Sequence, residues 1–238
     1  MYSVKSFTVF SASQVRGFEG CGEMISDKTI GRLSLYRRVI SEMLAEARTH
    51  VYSHEIAKAC GVTPAQVRRD LMPTGHLGSP SRGYNIPGLI QSISGILDDP
   101  EQEKVAIVGV GNLGRAILAY FMGRRPNLTI VAAFDADASK VGRMIHGIRC
   151  YGTEQLADVV RKEGVEVGIL TVPARAAQAI ADELIGAGVR GLLNFAPVAL
   201  RVPPHVYVED LDVAISLERV AYFARHGAGT RRQERAMR

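Results

Sequence analysis

Three glycines are the residues of this chain whose spacing points most directly to ligand chemistry. In "VAIVGVGNLG", residues 105–114, Gly109, Gly111 and Gly114 follow a run of β-branched residues and precede the helical pattern "RAILAYF". A glycine turn between a strand and a helix lets the backbone approach a pyrophosphate, and the helix N-terminus supplies partial positive charge. The sequence therefore predicts a dinucleotide-binding turn formed by Gly109, Val110, Gly111, Asn112, Leu113 and Gly114.

A single acid follows this turn at the spacing that dinucleotide binding needs. The next predicted strand, "TIVAAF", ends in Asp135, 21 residues after Gly114. A carboxylate at this place can accept hydrogen bonds from both ribose hydroxyls of adenosine and repels a 2′-phosphate. We therefore expect NADH or NAD+ to bind rather than the phosphorylated cofactors. The alternative is that Asp135 is an ordinary turn residue at a strand end.

Two later motifs, "TVPA" at 171–174 and "NFAP" at 194–197, also end predicted strands. The carboxyl ends of parallel strands form the edge of the sheet where nucleotides bind, and prolines with apolar neighbours suit a dry nicotinamide pocket. The alternative is that the prolines simply end strands. The expected cofactor contacts are Thr171, Val172, Pro173, Asn194, Phe195, Ala196 and Pro197.

These motifs bring no evident general acid or base with them. We interpret His146 as a surface histidine and Tyr120 as a core aromatic of the helix after the glycine turn. The predicted α/β unit, 104–210, leaves no room for a substrate domain. We therefore expect that the chain is not an enzyme and that the nucleotide is a signal that is not turned over. An NAD-dependent oxidoreductase with a helical accessory domain is the first alternative, and a nucleotide-binding module of the CoA-binding kind is the second.

The elements that would position these residues alternate between strand and helix after a polar boundary, "DDPEQEK" at 98–104. Such alternation predicts an α/β fold of the Rossmann type, a doubly wound parallel sheet with helices on both faces. A final helix, 212–226, carries apolar residues too widely spread for one buried stripe. The strands are predicted at 104–109, 129–134, 166–172, 190–195 and 206–208.

Before the boundary the pattern is helical. Apolar residues recur at helical spacing from residue 33, and Ser53 is placed to cap a second helix that Gly61 ends. In "TPAQ", Thr63 as N-cap, a proline at the first helical position and Gln66 in a capping box begin a third helix, 64 to about 72. The stretch "GHLGSPSRGYNI" then predicts a small hairpin. The order predicts a winged helix-turn-helix domain.

Charge separates this N-terminal unit from the rest of the chain. Residues 28–97 hold nine Lys and Arg against four Asp and Glu, whereas residues 98–225 hold 14 against 16. A basic helix-turn-helix beside a near-neutral unit predicts DNA as the partner of the first. The alternative is a three-helix unit with an ordinary solvated face. The expected DNA contacts are Ala65, Gln66, Arg68 and Arg69 on the third helix and Arg82 at the tip of the wing.

Other classes of protein are disfavoured by composition. The sequence contains no long unbroken apolar run and no cleavable apolar segment near its start, so we expect neither a membrane span nor export. The cysteines at 21, 60 and 150 are isolated, which argues against a disulfide framework and against a zinc site. We expect a cytoplasmic protein that binds no metal.

Taken in order, the motifs resemble the Rex family of bacterial redox-sensing transcriptional repressors. The resemblance runs from Ile30 to about Ala224 and is carried by "PAQVRRDL", "GYN", "IVGVGNLG", "LTVPA" and "NFAP". It implies a homodimer in the bacterial cytoplasm that exchanges the helix 212–226 between subunits. It also implies a repressor that binds a palindromic operator when NAD+ dominates and releases it when NADH rises.

The resemblance further implies a switch. Arg38 would pair with Asp212 in the DNA-binding form, and Tyr120 would engage Asp212 when NADH is bound. Two stretches depart from the family pattern: "MPTG" stands where aromatic residues are usual, and "GSPSRG" stands in place of the usual wing, where Arg82 is the candidate substitute for the basic residue before glycine. Val213 stands where an aromatic beside the nicotinamide is expected.

The patterns divide the chain into five parts. The expected parts are a flexible leader, 1–29, a winged-helix domain, 30–97, a Rossmann NAD(H)-binding domain, 98–211, a dimerisation helix, 212–226, and a basic tail, 227–238. The tail would add nonspecific attraction to phosphates.

Overall fold

The computed structural model describes residues 25–98, 102–121 and 128–226. The predicted leader up to residue 24, residues 99–101 of the polar boundary and the basic tail lie outside the described residues. The first helix begins at Asp27 and is capped by Ser26, whose hydroxyl accepts the backbone N–H of Thr29 at 3.3 Å. The predicted end of the leader at residue 29 is therefore wrong, because Ser26 starts the helix before its apolar periodicity begins.

The N-terminal unit consists of four helices and a two-stranded sheet. Its core lies between the helices and includes the fully buried Tyr36, Ile40 and Leu89. The elements are α1 (Asp27–Ala45), β1 (His50–Val51), α2 (Ser53–Cys60), α3 (Pro64–Leu71), a 3₁₀ turn (Met72–Thr74), β2 (Tyr84–Asn85) and α4 (Ile86–Leu97). Helix α4 was not predicted; Asn85 caps it by accepting the N–H of Gly88 at 3.0 Å.

The predicted hairpin has a different partner from the expected one. Strand β2 pairs antiparallel with β1, with His50 opposite Asn85, and not with the residues before the turn. Within the stretch predicted as a hairpin, one bridge remains, between Ser79 and Gly83, closed by two backbone hydrogen bonds of 2.8 and 2.7 Å. The wing is thus the loop 79–83 beside a two-residue strand. Such a short strand shows no alternation, and its partner is distant in sequence.

The start and the end of α2 test two further predictions. Gly61 ends the helix with φ +66°, as expected from a glycine in the left-handed region. Ser53 does not cap the helix: the N–H of Tyr52 donates to Oε2 of Glu55 at 2.8 Å. The hydroxyl of Ser53 instead accepts from Nη1 of Arg68 at 3.1 Å. The prediction of Ser53 as the cap is wrong because the helix begins one residue earlier than the sequence indicated.

The C-terminal unit is built on a seven-stranded sheet. Its strand order is β5-β6-β4-β3-β7-β8-β9, and all neighbouring strands are parallel except β5 and β6. The elements are β3 (Glu103–Val108), α5 (Asn112–Phe121), β4 (Leu128–Asp135), β5 (Met144–Ile145), β6 (Ile148–Gly152), α6 (Leu156–Glu163), β7 (Val167–Leu170), α7 (Ala174–Gly186), β8 (Gly191–Asn194), β9 (Tyr207–Asp210) and α8 (Val213–His226).

This topology confirms the predicted Rossmann-like fold. From β3 the chain passes through α5 to β4 on one side, and after α6 it returns to place β7 on the other side of β3. Ligands of open α/β sheets bind at such a reversal, outside the carboxyl ends of the strands. Each of the five predicted strands is present, whereas β5 and β6 were not predicted.

The strands are buried on both faces. Along β3, Ala106 and Val108 belong to the cluster on one face, while Val105 and Ile107 belong to the cluster on the other. Alternation across two apolar faces explains why the sequence reads as a continuous apolar run. The glycine turn therefore begins at the end of a rigid central strand.

Helices α8 and α1 differ in how they contact the rest of the described chain. No residue of α8 is buried against the described chain. The hydroxyl of Tyr207 on β9 donates to Oδ1 of Asp27 on α1 at 2.8 Å and also lies 2.7 Å from Oε2 of Glu209, which connects the two units. In the described ranges, no helix is both long and apolar enough to cross a membrane.

Candidate nucleotide and DNA sites

The glycine turn has the close packing that its sequence predicts. Gly109 has φ +95°, and a Cβ there would lie 2.6 Å from the carbonyl oxygen of Thr171. A Cβ on Gly114 would overlap the carbonyl oxygen of Gly109. Gly111 differs, because a Cβ there would meet no atom within 4 Å. Gly109 and Gly114 are thus required by the fold, whereas Gly111 is exposed beside open space where a phosphate can approach.

Asp135 lies directly beside this turn. Its Oδ2 accepts the N–H of Val110 at 2.7 Å and the ammonium of Lys140 at 2.9 Å, and its Oδ1 accepts the N–H of Asp137 at 2.9 Å. Burial alone raises the pKa of Asp135, but these hydrogen bonds outweigh it and hold the pKa below its usual value. The carboxylate is therefore ionised and held beside the glycine turn, and its contact with a ribose stays a prediction. Lys140 was not predicted as part of this site, because the sequence shows only a cation in the turn after the strand.

Thr171 joins the second strand end to the glycine turn. Its N–H donates to the carbonyl of Val108 at 2.9 Å, and its hydroxyl donates to the carbonyl of Gly109 at 2.6 Å. Val172 is half-buried and Pro173 is exposed at the start of α7. The structure thus brings the "TVPA" motif to the same edge as the glycine turn.

The side chain of Asn194 forms its hydrogen bonds within the protein. It is 1% exposed, and its Oδ1 accepts the N–H of Ala196 at 3.0 Å. Its Nδ2 donates to the carbonyl of Val198 and to Oδ1 of Asp210, both at 2.8 Å. These bonds shape the loop after β8 that carries Phe195, Ala196 and the exposed Pro197. The side chain of Asn194 therefore acts as a scaffold for this loop.

In the N-terminal unit, one buried carboxylate ties α3, the predicted recognition helix, to α1. Asp70 on α3 is 2% exposed and accepts four hydrogen bonds. The donors are Nε and Nη2 of Arg32 at 2.6 and 2.7 Å, the hydroxyl of Tyr36 at 2.8 Å and Nε2 of Gln66 at 2.8 Å. Burial alone raises the pKa of Asp70, but these donors outweigh it and hold the pKa below its usual value. We call these four residues the Asp70 cluster.

Gln66 belongs to this cluster and not to a capping box. The hydroxyl of Thr63 accepts the N–H of Gln66 at 3.1 Å, which confirms the predicted N-cap. The reciprocal bond, from the N–H of Thr63 to the side chain of Gln66, is absent among the described residues, where the Gln66 amide instead donates to Asp70. The predicted capping box is therefore wrong in its second half, and Gln66 is half-buried rather than fully outward.

The other predicted DNA contacts are exposed. Ala65, Arg68 and Arg69 lie on the open face of α3. Arg82 is exposed in the loop 79–83. In this loop the carbonyl of Ser81 accepts a hydrogen bond from the hydroxyl of Tyr52 at 2.7 Å. The structure thus places basic side chains on both the recognition helix and the wing.

The three predicted switch residues lie on three different helices or their ends. Arg38 is exposed on α1, and Asp212 caps α8 by accepting the N–H of Ile215 at 3.0 Å. Within the described chain no ion pair joins Arg38 to Asp212. Tyr120 on α5 is 58% exposed, so its interpretation as a core aromatic is wrong: it points off the outer face of α5 and packs edge-on against Phe121. Its pairing with Asp212 stays a prediction.

Comparison with known proteins matches both units. A family model described as the CoA binding domain covers residues 100–198, and one described as a putative DNA-binding protein N-terminus covers residues 24–71. A redox-sensing transcriptional repressor Rex from Geobacillus sp. (strain WCH70) is 42% identical over 84% of this chain and 92% of its own length. The Rex from Pelotomaculum thermopropionicum is 41% identical over 82% and 91%. The chain belongs to the Rex family of redox-sensing transcriptional repressors.

Solved Rex structures agree with this assignment. RSP, a Rex-family repressor, in complex with beta-NAD+ and operator DNA is 30% identical and covers 90% of this chain and 98% of its own, with a TM-score of 0.80. RSP in complex with beta-NADH is also 30% identical, covers 86% and 96%, and has a TM-score of 0.76. In the part of the Rex chain that the structure describes, no three His, Cys, Asp or Glu side chains are grouped to hold a metal.

Proposed function

We propose that this Rex-family protein represses transcription from a palindromic operator when NADH is low and leaves the operator when NADH binds. The observation that carries the proposal is the open space at Gly111 beside the ionised Asp135, in a chain that also presents an exposed basic recognition helix. RSP has been captured with beta-NADH, and with beta-NAD+ together with operator DNA.

The nucleotide lies across the switch point of the sheet. Its pyrophosphate binds at the turn 109–114, at the N-terminus of α5. Its adenosine ribose binds at Asp135, and its nicotinamide lies between the segments 171–173 and 195–197. The nucleotide is an effector and is not turned over: the curated relatives are named as repressors.

The winged-helix unit binds DNA. Ala65, Gln66, Arg68 and Arg69 enter the major groove, since the N-terminal residues of a recognition helix contact base edges. Arg82 reaches a phosphate or the minor groove from the wing. Two copies joined through α8 bind the two halves of the palindrome. The place of action is the bacterial cytoplasm, where operator DNA and NADH are both accessible.

The two units communicate through a two-state contact. Arg38 pairs with Asp212 in the DNA-bound form, and Tyr120 engages Asp212 when NADH is bound. Because Asp212 also caps α8, replacing it with alanine changes both charge and cap. Asp212→Asn retains a good N-cap while it removes the charge, so it isolates the switch. NADH that still releases DNA from Asp212→Asn contradicts this role.

The proposed function is tested by binding the purified protein to a fluorescently labelled palindromic promoter fragment. NADH, NAD+, NADPH and CoA are titrated in separate experiments. Release by NADH at a much lower concentration than by the other three is the expected result. Release by CoA alone, or steady consumption of NADH with a candidate substrate, would overturn the proposal in favour of a CoA-responsive module or an oxidoreductase.

A further inference from the structure

We propose that Asp70 orients the side-chain amide of Gln66 so that its oxygen, Oε1, reads an exocyclic amino group of one base in each half of the operator. The inference deepens the proposed function and rests on it. It assigns to Gln66 the recognition of an adenine or a cytosine, because these are the bases that present an amino group in the major groove.

Gln66 is placed to reach a base. It is the third residue of α3, in the first turn of the recognition helix, where helix-turn-helix proteins contact base edges. Its neighbour three positions on, Arg69, is exposed, and its neighbour four positions on, Asp70, is buried. Gln66, itself half-buried, therefore lies at the border between the open face of the helix and the core.

The chemistry of its partner fixes which end of the amide points inward. An ionised carboxylate accepts hydrogen bonds and cannot donate them, so the atom 2.8 Å from Oδ1 of Asp70 must be the nitrogen Nε2. The amide nitrogen and oxygen branch from one carbon in different directions, so this bond turns Oε1 away from Asp70. A glutamine on an open surface has no such restraint, because its two ends can exchange.

The carboxylate of Asp70, which restrains the Gln66 amide, is itself held in place. Arg32 and Tyr36 donate three more hydrogen bonds to the carboxylate of Asp70, one to Oδ1 and two to Oδ2, and Tyr36 is fully buried. The cation of Arg32 also keeps the carboxylate ionised. Within the described residues no hydrogen bond reaches Oε1 of Gln66. The cluster thus presents an oriented acceptor at the edge of the recognition helix.

An oriented acceptor distinguishes the four bases. Adenine N6 and cytosine N4 donate in the major groove, whereas guanine O6 and N7 and thymine O4 accept and are repelled by another acceptor. We therefore expect one position in each half-site to favour adenine or cytosine on the strand that Gln66 faces. One net hydrogen bond corresponds to about a threefold to tenfold preference.

A duplex that carries a modified base distinguishes adenine from cytosine as the base that Gln66 contacts. Nε2 carries a second hydrogen, which can bind N7 of adenine at the same time as Oε1 accepts from N6. If adenine is the preferred base, replacing it with 7-deazaadenine removes the bond from Nε2 to N7 and weakens binding of the protein to the operator. If cytosine is preferred, the contact is a single bond.

The test is selection from a randomised duplex library by the full-length protein and three variants. The expected result is that Gln66→Ala loses the adenine or cytosine preference at one position per half-site and keeps the preferences elsewhere. Asp70→Asn, whose amide can both donate and accept, lets the Gln66 amide turn over and weakens the same position. Tyr36→Phe removes a donor to Asp70 but leaves the bond to Gln66, so it keeps the base preference.

The outcomes separate this inference from the proposed function. A wild-type protein that selects an operator and releases it with NADH, while Gln66→Ala changes no position or all positions equally, overturns the inference alone. A preference for guanine or thymine that Gln66→Ala abolishes would show that the second hydrogen of Nε2 contacts the base, and it overturns the assignment of Oε1 as the atom that reads the base. A wild-type protein that selects no sequence overturns both.

Discussion

Arg32 and Asp70 form a two-pronged ion pair between α1 and the recognition helix, with Nε and Nη2 of Arg32 at 2.6 and 2.7 Å from the two carboxylate oxygens. Asp70 is 2% exposed, and the side chain of Arg32 is 25% exposed. A buried pair adds little net stability, because the cost of desolvating both charges offsets their attraction. Its geometric effect is larger: the orientation of α3 is tied to α1, the helix that carries Arg38.

Removing one member of this pair leaves the other uncompensated. We expect Asp70→Ala to lower the free energy of unfolding of the winged-helix unit by about 3 kcal/mol, since Arg32, Tyr36 and Gln66 all lose an acceptor. Urea denaturation followed by circular dichroism measures the loss. Asp158→Ala is the control, because Asp158 and Arg161 form an exposed pair 3.6 Å apart and its loss is expected to cost less than about 1 kcal/mol. Equal changes in the two variants would contradict the prediction.

The same carboxylate predicts a pH dependence. Burial raises the pKa of Asp70, but its donors outweigh burial and lower it in the folded protein. A lowered pKa stabilises the fold above the unfolded value, about 3.9, and this contribution is lost as the pH falls through the folded value. The stability difference between wild type and Asp70→Asn is therefore expected to be full at neutral pH and to shrink below about pH 4. A difference that grows on acidification would show that the pKa is raised.

The Asp70 cluster also shows which contacts could not be predicted from sequence patterns. The glycine turn, the central strands and the Thr63 cap were predicted because each is encoded by neighbouring residues. In "RRDL", by contrast, Asp70 reads as one more charge on a solvated face. Its partner Arg32 is 38 positions away, and only the packing of α1 on α3 brings the two together. The pairing of β1 with β2 and the contact of Lys140 with Asp135 also depend on tertiary structure.

A substitution at Gly111 is expected to change ligand binding without changing the stability of the fold. Because a Cβ at Gly111 would meet no atom of the protein, we expect Gly111→Ala to retain its thermal stability. The methyl group would occupy the space of the pyrophosphate, so NADH affinity is expected to fall at least about tenfold. Fluorescence titration of NADH measures it. Gly95→Ala, on α4 with equally open surroundings, controls for the substitution itself and should bind NADH normally.

In the same turn, Gly114→Ala is expected to behave differently. Its Cβ would overlap the carbonyl oxygen of Gly109, so the turn must open and both stability and NADH binding decrease. Thermal unfolding of Gly114→Ala beside Gly111→Ala distinguishes the two effects. A Gly111→Ala protein as unstable as Gly114→Ala would show that Gly111 is needed by the fold and not by the ligand.

Asp135 and Lys140 predict opposite effects on the choice of cofactor. Asp135→Asn removes the charge that repels a 2′-phosphate, so the preference for NADH over NADPH is expected to decrease along with NADH affinity. Lys140→Met removes the ammonium 2.9 Å from that carboxylate and exposes its full charge, so the preference for NADH is expected to increase. The ratio of the two affinities, measured by titration, is the readout. A change in the same direction for both variants would contradict this account.

The apolar surface of α8 predicts the assembly state. Val213, Leu217 and Val220 are 69, 66 and 64% exposed on a helix with no buried residue, a surface that a second copy of a homodimeric repressor would cover. We expect Leu217→Glu to shift the protein from dimer to monomer in sedimentation analysis. Affinity for a palindrome should then fall steeply, because its two halves no longer bind as one unit. Gln91→Glu adds the same charge at an exposed position of α4 and should stay dimeric. A dimeric Leu217→Glu would place the interface elsewhere.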